Sequence, residues 1–494
     1  MIDFTAGAAR EAIATQDVET LRAAGALIED ARRERPRYFD GRFLAARDLI
    51  RDQQYFLARE ADLGHATGGG VATGLRVARG GGADELLIER GHGITPAGEL
   101  TLLPRTLSLR LADIPLAEQL SARFGLSRRP QPPLRSRTGL FVLALRPVEF
   151  TANPIGAYPS SITGQRTVED GDVIEATAVV LVPWTEDSAS DALDARRSRA
   201  ARAIFVDGKS SGVSANVLPL AMVALQNNVV AWLDVAMVRR ELGADRADLP
   251  GLGVGARALR LSHLLQYQQQ LSEMLAANGG RGFAAATQFG ALPPAGPMPA
   301  GMINASDFTQ NFFAAEIDCE LAPIPEDELP ALIDEALALP ALDLELPAEM
   351  LDATAVLILA PVPRSEWRAT LARLQQTITD TRTRRLMPAA SNRLAARKPL
   401  EILQRLRLPR PLALPVDIGD PREREWGRLA ALPRLWFVRR RNLAYREDLP
   451  GAPVPFAGVE GESEGNLLRR LDGNGLRPSS QGCWRAAASP SRRR

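Results

Sequence analysis

Clusters of glycine and proline divide residues 64–111 into pieces that are too short for a helix of ordinary length. Short apolar runs remain between these clusters, and such runs bounded by turn residues are typical of strands. The sequence therefore predicts a small antiparallel β-domain here. Its strands are predicted at Val71–Ala78, Glu85–Glu89, Glu99–Leu103 and Leu107–Leu111.

Helical periodicity precedes this β-segment. Residues 1–35 alternate Ala, Arg and Glu at helical spacing, which predicts an exposed amphipathic arm that ends at Pro36. A second helix is predicted over Ala45–Leu63, where the glycines from Gly64 onward end it. One largely apolar face of this helix is formed by Leu49, Ile50, Gln53, Phe56 and Leu57.

A second block of β periodicity follows the linker Arg128–Arg137, which is rich in proline and arginine. An asparagine pair between two apolar runs is typical of a hairpin turn. The predicted strands are Gly139–Phe150, Val173–Pro183, Arg202–Val206, and the hairpin Val217–Gln226 with Val229–Val238, which turns at Asn227 and Asn228.

Helical spacing returns over Ala256–Ala277, a segment that ends at Asn278-Gly279-Gly280. Its predicted packing stripe consists of Leu261, Leu264, Leu265, Gln268, Leu271 and Leu275. Residues 283–306 are rich in Gly, Pro and Ala and are interpreted as a connection. An α/β pattern then follows, with strands at Ala353–Leu359 and Leu435–Val438 and a helix that begins near Ser365.

These patterns predict an α+β multidomain fold. It comprises an N-terminal helix with a small antiparallel β-domain, a second β-rich domain, a central amphipathic helix and a C-terminal α/β region. The predicted segments are a helical arm (1–35), a helix with the small β-domain (36–127), a β-rich domain (138–250), a helix with its connection (251–306), an α/β domain (307–448) and a disordered tail (449–494).

Charge and composition narrow the function classes. Lys and Arg number 60 and Asp and Glu 59, so the net charge of +1 gives no general attraction to nucleic acid or to an anionic membrane. Two cysteines and three histidines argue against a disulfide framework, a metal site and histidine-based catalysis. We expect no cofactor, no membrane insertion and, because Met1–Thr15 lacks a signal peptide, assembly in the cytoplasm.

A serine motif is the first candidate for catalysis. Gly208–Gly212 satisfies G-x-S-x-G around Ser210, but a nucleophile elbow also needs a following helix, an acid and a histidine. The downstream histidine is His263, on the predicted amphipathic helix, and a simple turn is the favoured interpretation. Two phosphate motifs are incomplete, since Ala203 replaces a P-loop glycine and Gly251–Gly255 lacks the dinucleotide spacing.

Acidic residues near position 320 are the second candidate, as a glycosidase pair. The favoured interpretation of Glu326–Glu328 is instead an acidic first turn of a helix. The other acidic residues of this candidate pair or cluster are Glu316, Asp318 and Glu320. Cys319, which lies among them, is interpreted as a small buried residue.

Several segments together resemble proteins found with phage-tail-like contractile injection systems and with contractile phage tails. The most specific are Arg37–Leu44 followed by a helix, Gly70–Val77, Gly93–Leu100 and Leu102–Pro104. Looser matches are Val217–Arg240, Leu292–Gly296 and Leu435–Arg441. The resemblance extends over about residues 36–446.

The resemblance implies a structural or assembly component, baseplate-associated or accessory, rather than an enzyme. The expected partners are baseplate, tube, sheath or cap proteins, and copies of the chain itself in a symmetric assembly. Release of the particle would carry the chain outside the cell. The alternative is a surface enzyme or glycan-binding module carried by the particle, with Ser210 as its nucleophile. Binding of nucleic acid through Arg439–Arg441 or Arg492–Arg494 ranks third.

Aromatic and arginine side chains are the candidate contacts for such partners. Tyr38, Phe39 and Phe43 crowd one turn, and they are expected either to pack in the core, the commoner fate of large aromatics, or to anchor a partner. The full set of candidate interaction residues is Tyr38, Phe39, Arg42, Phe43, Arg439, Arg440 and Arg441.

Overall fold

The fold is α+β with several sheets, as the sequence predicts. The computed structural model describes residues 14–27, 29–116, 136–158, 166–186, 192–209, 213–244, 254–304, 309–351, 354–374, 384–388 and 421–440. The predicted tail, 449–494, and Arg441 lie outside these ranges.

The N-terminal segment contains two helices. Helix α1 covers Thr15–Ala23 only, because Gly25 at φ +69° turns the chain, and the segment that follows contains a 3-10 turn at Ala31–Arg33. Helix α2 covers Ala46–Thr67 and ends at Gly68, so it runs past the predicted end at Leu63. The glycine inside it, Gly64, lets α2 lie directly on a β-turn, since a Cβ there would be 2.1 Å from a backbone oxygen of Gly98.

Six short strands form the predicted small β-region as two three-stranded antiparallel sheets, β1–β4–β5 and β2–β3–β6. The predicted run Val71–Ala78 is two strands, because Gly74 and Leu75 both adopt positive φ and reverse the chain. The sequence does not predict strand β4, because its Gly-His-Gly-Ile segment has no apolar alternation. The strands are β1 (Gly70–Gly74), β2 (Val77–Arg79), β3 (Glu85–Ile88), β4 (Gly91–Ile94), β5 (Leu100–Leu103) and β6 (Leu107–Arg110).

A four-stranded antiparallel sheet of order β10–β9–β7–β8 follows. The predicted hairpin β9–β10 is confirmed, with Asn227 and Asn228 both at positive φ as this turn requires. Strands β7 and β8 run further than predicted and form one long ribbon. The strands are β7 (Gly139–Ala157), β8 (Thr167–Pro183), β9 (Leu218–Gln226) and β10 (Val229–Asp234).

The strand predicted at Arg202–Val206 is wrong, because most of it is the last turn of helix α3, Leu193–Phe205. Alternating Arg and Ala residues favour a helix here. Ile204 and Phe205, which suggested a strand, pack with Ala200 and Ala201 against the four-stranded sheet.

The four-stranded sheet is covered on both faces. Phe141, Leu143 and Leu145 point into a core shared with the two small sheets, whereas Leu140 and Val142 pack against α3. Successive side chains of β7 therefore point to opposite faces of the sheet, and both faces are buried. The predicted boundary between residues 127 and 138 falls largely outside the described ranges and stays a prediction.

The C-terminal region holds a mixed seven-stranded sheet of order β12–β19–β17–β15–β18–β14–β13 and the pair β11–β16. Strands β15 and β17 are parallel, consistent with an α/β crossover. The strands are β11 (Ala291–Leu292), β12 (Ala295–Met298), β13 (Ile303–Asn304), β14 (Thr309–Gln310), β15 (Asp318–Pro325), β16 (Leu342–Asp343), β17 (Ala355–Val362), β18 (Arg384–Pro388) and β19 (Leu435–Arg440). The helices are α4 (Val254–Ala277), α5 (Leu329–Ala336), α6 (Ala348–Leu351), α7 (Arg364–Leu374) and α8 (Pro421–Ala430).

Two expectations about this region are corrected. Residues 283–306 are not only a connection, since β11, β12 and β13 lie there, and Gly296 of β12 packs tightly against the rings of Tyr267 and Phe437. The leucine stripe of α4 is also wrong in part, because Leu261 and Leu265 are about half exposed. The buried face of α4 is formed by His263, Leu264, Gln266, Tyr267, Gln270 and Leu271.

A buried polar network joins α3, β10 and α4. The Arg197 guanidinium donates to Asp234 at 2.7 Å, and Asp234 also accepts from the Met237 backbone N–H at 3.1 Å and from Gln266 at 3.3 Å. Burial raises the pKa of Asp234, while Arg197 and these donors act in the opposite direction. The network supplies the partners that a buried carboxylate requires.

Removal of the arginine is expected to destabilise the fold strongly. Arg197→Ala leaves Asp234 buried without its cation, so the free energy of unfolding should fall by about 3–5 kcal/mol. Urea unfolding of the full chain measures this loss. The control Arg364→Ala breaks an exposed pair with Asp327 and should cost less than about 1 kcal/mol. Equal losses in both variants would contradict this account of the network.

Candidate interaction surface

The aromatic turn before α2 is held by one arginine. Arg42 donates to the backbone oxygen of Arg37 and to Asp48 at 2.7 Å, and its guanidinium lies 5.8 Å from the Tyr38 ring centre. Asp48 accepts the Ala45 N–H at 3.1 Å, which satisfies a donor at the start of α2. The Ala45 N–H and Arg42 hold the pKa of Asp48 below its ordinary value, and the same two contacts join the turn to the start of α2.

The aromatic side chains of this turn point outward. Tyr38 is 47%, Phe39 62% and Phe43 90% exposed, so the expectation of core packing is wrong for them. The adjoining face of α2 is exposed as well. We call the combined set the helix–turn surface, and its members are Tyr38, Phe39, Phe43, Leu44, Leu49, Ile50, Phe56, Leu57 and Leu63.

The contacts made by the opposite side of α2 explain why its apolar face is exposed. The opposite side of α2 is taken by the segment between α1 and α2, where Arg35 lies 5.7 Å from the ring centre of the buried Tyr55 and Arg33 pairs with Asp62. The end of α2 rests on the β4–β5 turn, where the His65 ring Nδ1 lies 2.9 Å from the Pro96 oxygen. The helix therefore packs by its polar side and presents its apolar side to solvent.

The candidate arginines of β19 are used within the chain. Arg439 donates to the backbone oxygens of Pro340 and Ala341 at 2.9 and 2.6 Å, and burial lowers its pKa. Arg440 pairs with Glu320. The Arg439 guanidinium therefore satisfies two loop carbonyls, and the Arg440 guanidinium pairs with a carboxylate.

The candidates for catalysis do not come together in the described residues. Gly208 and Lys209 follow α3, whereas Ser210 lies outside the described ranges. His263 is only 1% exposed and stacks on Phe205 at 4.3 Å between ring centres. Burial lowers the pKa of His263 to about 3, and the nearby Ala291 backbone opposes the shift only weakly, since neither ring nitrogen makes a hydrogen bond of normal geometry to a described residue.

The acidic candidates are structural in their contacts. Glu326–Glu328 form a 3-10 turn directly before α5, and Arg364 pairs with Asp327 at 2.6 Å and with Glu328 at 2.7 Å. Cys319 is buried, as predicted, and burial raises the pKa of its thiol. Among the described residues, no cluster of His, Cys, Asp and Glu is arranged to hold a metal ion.

A cleft lies between α3, α4 and β10. It is lined by Arg196, Arg197, Trp232 and Glu273 among others. Arg196 pairs with Glu186, and Arg197 pairs with Asp234 and Glu273. The charges of these arginines are therefore already compensated, and the cleft offers no obvious anion site.

Within the described ranges, no helix carries an apolar run long enough to cross a bilayer.

Comparison with known proteins adds little. No protein-family model and no curated protein matches the sequence. A crystal structure of TssK is similar over 49% of this chain and 49% of the TssK chain, with 15% identity and a TM-score of 0.21. The chain thus spans about half the length of the TssK chain. A likeness of that strength supports neither a shared fold nor a shared function.

Exposure predicts how the aromatic residues respond to truncation. Phe39→Ala and Phe43→Ala should change the free energy of unfolding by no more than about 0.5 kcal/mol, because both rings already face water. Phe437→Ala, which empties a fully buried site, should cost about 3–5 kcal/mol. Chemical unfolding of the three variants distinguishes these cases. A large loss at Phe43 would show that it is a core residue.

His263 predicts an acid-sensitive contribution to stability. The unfolded chain protonates this imidazole below its ordinary pKa of 6.5, but the folded chain does so only near 3. The contribution of the neutral His263 to the free energy of unfolding should therefore be fully present above pH 6.5. It should fall by about 1.4 kcal/mol for each pH unit between 6.5 and about 3.

The variant His263→Phe removes this dependence, because the new ring stacks on Phe205 without unsatisfied nitrogens. Unfolding at pH 7, 5 and 4 should show wild type losing stability relative to this variant as the pH falls. The exposed His65, changed to Gln, controls for loss of an imidazole. Parallel pH curves for wild type and His263→Phe would contradict the prediction.

Proposed function

We propose that this chain is a structural component of a phage-tail-like contractile injection particle, at the baseplate or on an accessory part. It acts through protein–protein interfaces. The observation that carries the proposal is the helix–turn surface, where nine large apolar side chains are exposed between Tyr38 and Leu63. Contiguous exposed apolar surface of this kind is typical of protein–protein contacts.

The position of this surface in the sequence adds support. It falls within residues 36–104, the block that most specifically resembles proteins of contractile systems. The turn is also rigid, because Arg42 joins it to Asp48 at the start of α2. Rigid aromatic anchors lose little conformational entropy on binding, which suits an assembly built from large interfaces.

We further propose that the chain has no catalytic activity of its own. His263, the histidine that a serine mechanism at Ser210 would recruit, is buried and neutral in the folded chain. Hydrolysis of a glycan or ester that is abolished by Ser210→Ala would overturn this point. Glycan binding without turnover would instead favour the alternative of a glycan-binding module.

Particle assembly tests the proposal directly. In cells that produce the particle, the tagged wild-type chain should co-purify with sheath and tube proteins. The double variant Phe39→Ala/Phe43→Ala should lose at least tenfold in incorporation while its thermal midpoint stays close to wild type, because the change removes interface area and not core.

A matched control uses exposed apolar residues outside the helix–turn surface. Leu261→Ala and Leu265→Ala on α4 remove half-exposed leucines and should leave incorporation unchanged. Complete particles that contain none of this chain would defeat the proposal. Normal incorporation of the double variant would show that the surface is not the interface.

A further inference from the structure

The helix–turn surface ends beside a group of carboxylates that three elements bring together. Helix α2 rests on the β4–β5 turn through Gly64 and Gly98, which places Glu60 near Glu99. The Leu102 N–H of β5 donates to Thr177 Oγ1 at 3.2 Å and holds the base of the β7–β8 ribbon against the same turn. We call the converging residues the acidic quartet: Glu60, Glu99, Glu149 and Glu175.

The charge of the acidic quartet is not compensated by the described part of the chain. All four residues are exposed, and none of them has an ion-pair partner among the described residues. Although Glu99 is exposed, partial desolvation of its carboxyl group first, and then the charges of Glu175, Glu149 and Glu60, raise its pKa. The described carboxylates are not arranged as a metal site. A group of like charges is stabilised by a nearby positive charge, which an Arg or Lys side chain of a partner can supply.

One member of the quartet also belongs to the apolar stripe of α2. Glu60 follows Phe56 by four residues and precedes Leu63 by three, which puts it on the same helix face. If a second copy of this chain packed on this face, its acidic quartet would lie either against the first quartet or against apolar side chains. Both contacts are unfavourable, because the carboxylates would lose water without gaining a cation. Nucleic acid and anionic lipid would be repelled for the same reason.

The β7–β8 ribbon carries two members of the quartet, Glu149 and Glu175, which pair across it. Beyond Leu145, strand β7 loses its pairing with β9, and β7 and β8 continue alone to the pair Ala157–Thr167. Two-stranded ribbons are marginally stable in water. Phe150 and Ile174 also pair across this ribbon and are both exposed, but they lie on its opposite face, because successive residues of a strand point to alternate sides.

We propose that this face binds an amphipathic segment of another protein, whose apolar side chains cover Phe56, Leu57 and Leu63 and whose Arg or Lys side chains reach the acidic quartet. The inference rests on the proposed function in taking the helix–turn surface as the assembly interface. It adds the chemistry of the partner: apolar along α2 and basic at the end where Glu60 lies. Full burial of such charge pairs gives specificity for this partner.

Site-specific photo-crosslinking in producing cells tests the inference. The photoreactive residue p-benzoylphenylalanine replaces Leu57 in the full-length tagged chain, and the control chain carries it at the exposed Ala369 of α7. After irradiation the tagged chain is purified under denaturing conditions, and the attached peptide is sequenced. We expect one dominant peptide at position 57 with an apolar helical stripe and a net positive charge.

Three results would overturn the inference. They are an acidic or neutral peptide, a peptide from this chain itself, and a yield at position 57 no higher than at position 369. A basic amphipathic peptide from a sheath, tube or baseplate protein supports the inference and the proposed function together. The same kind of peptide from a protein outside the particle supports the inference and overturns the proposed function.

Charge variants then test the quartet. The variant E60Q/E99Q/E149Q/E175Q should lower the crosslink yield at position 57 about tenfold, and raising the salt concentration should lower the wild-type yield but not that of the variant. The control E19Q/E34Q/E326Q/E335Q removes four exposed acids elsewhere and should keep the wild-type yield. Since all eight positions are exposed, thermal midpoints near wild type confirm that both variants fold. An unchanged yield in the quartet variant would overturn the proposal.

Discussion

The buried ion pair between Arg197 and Asp234 is the polar contact that fixes helix α3 on the four-stranded sheet. Its 2.7 Å bond joins α3 to the end of β10, and Gln266 brings in α4. The Arg197 guanidinium also lies 4.9 Å from the Trp232 ring centre, so apolar and polar contacts act together. Desolvating this pair is costly, and the geometry must stay intact to offset that cost.

Other arginines extend the same principle to the C-terminal sheet. Arg202 of α3 donates to Asp343 of β16 at 2.8 Å, and Arg260 of α4 donates to the backbone oxygens of Leu337 and Ala338. Tyr267 adds a 2.7 Å bond to the Pro297 oxygen of β12. A guanidinium carries several donors in a fixed plane, so it can satisfy carbonyls at element ends that no regular hydrogen bonding reaches.

The surface near α2 differs from this arginine-rich interior. Arginines such as Arg197 and Arg202 pair with carboxylates inside the described scaffold, whereas one edge keeps exposed aromatic and leucine side chains next to carboxylates without an ion-pair partner among the described residues. Helix α2 shows how this arises. Its polar side binds the N-terminal arm through pairs such as Arg33–Asp62, and its apolar side is exposed.

The sequence by itself determined local features whose cause is local. The Asn227–Asn228 turn, the burial of Cys319, the last strand and the existence of α2 and α4 follow from turn residues and periodicity. Tertiary structure decided which face of each element is covered. Periodicity shows that side chains share a face, but contacts far along the chain decide its partner: Gln266 of α4 is buried because Asp234 needs it, while Leu265 beside it is half exposed. For the same reason the apolar stripe of α2, readable from its spacing, faces solvent and not the core.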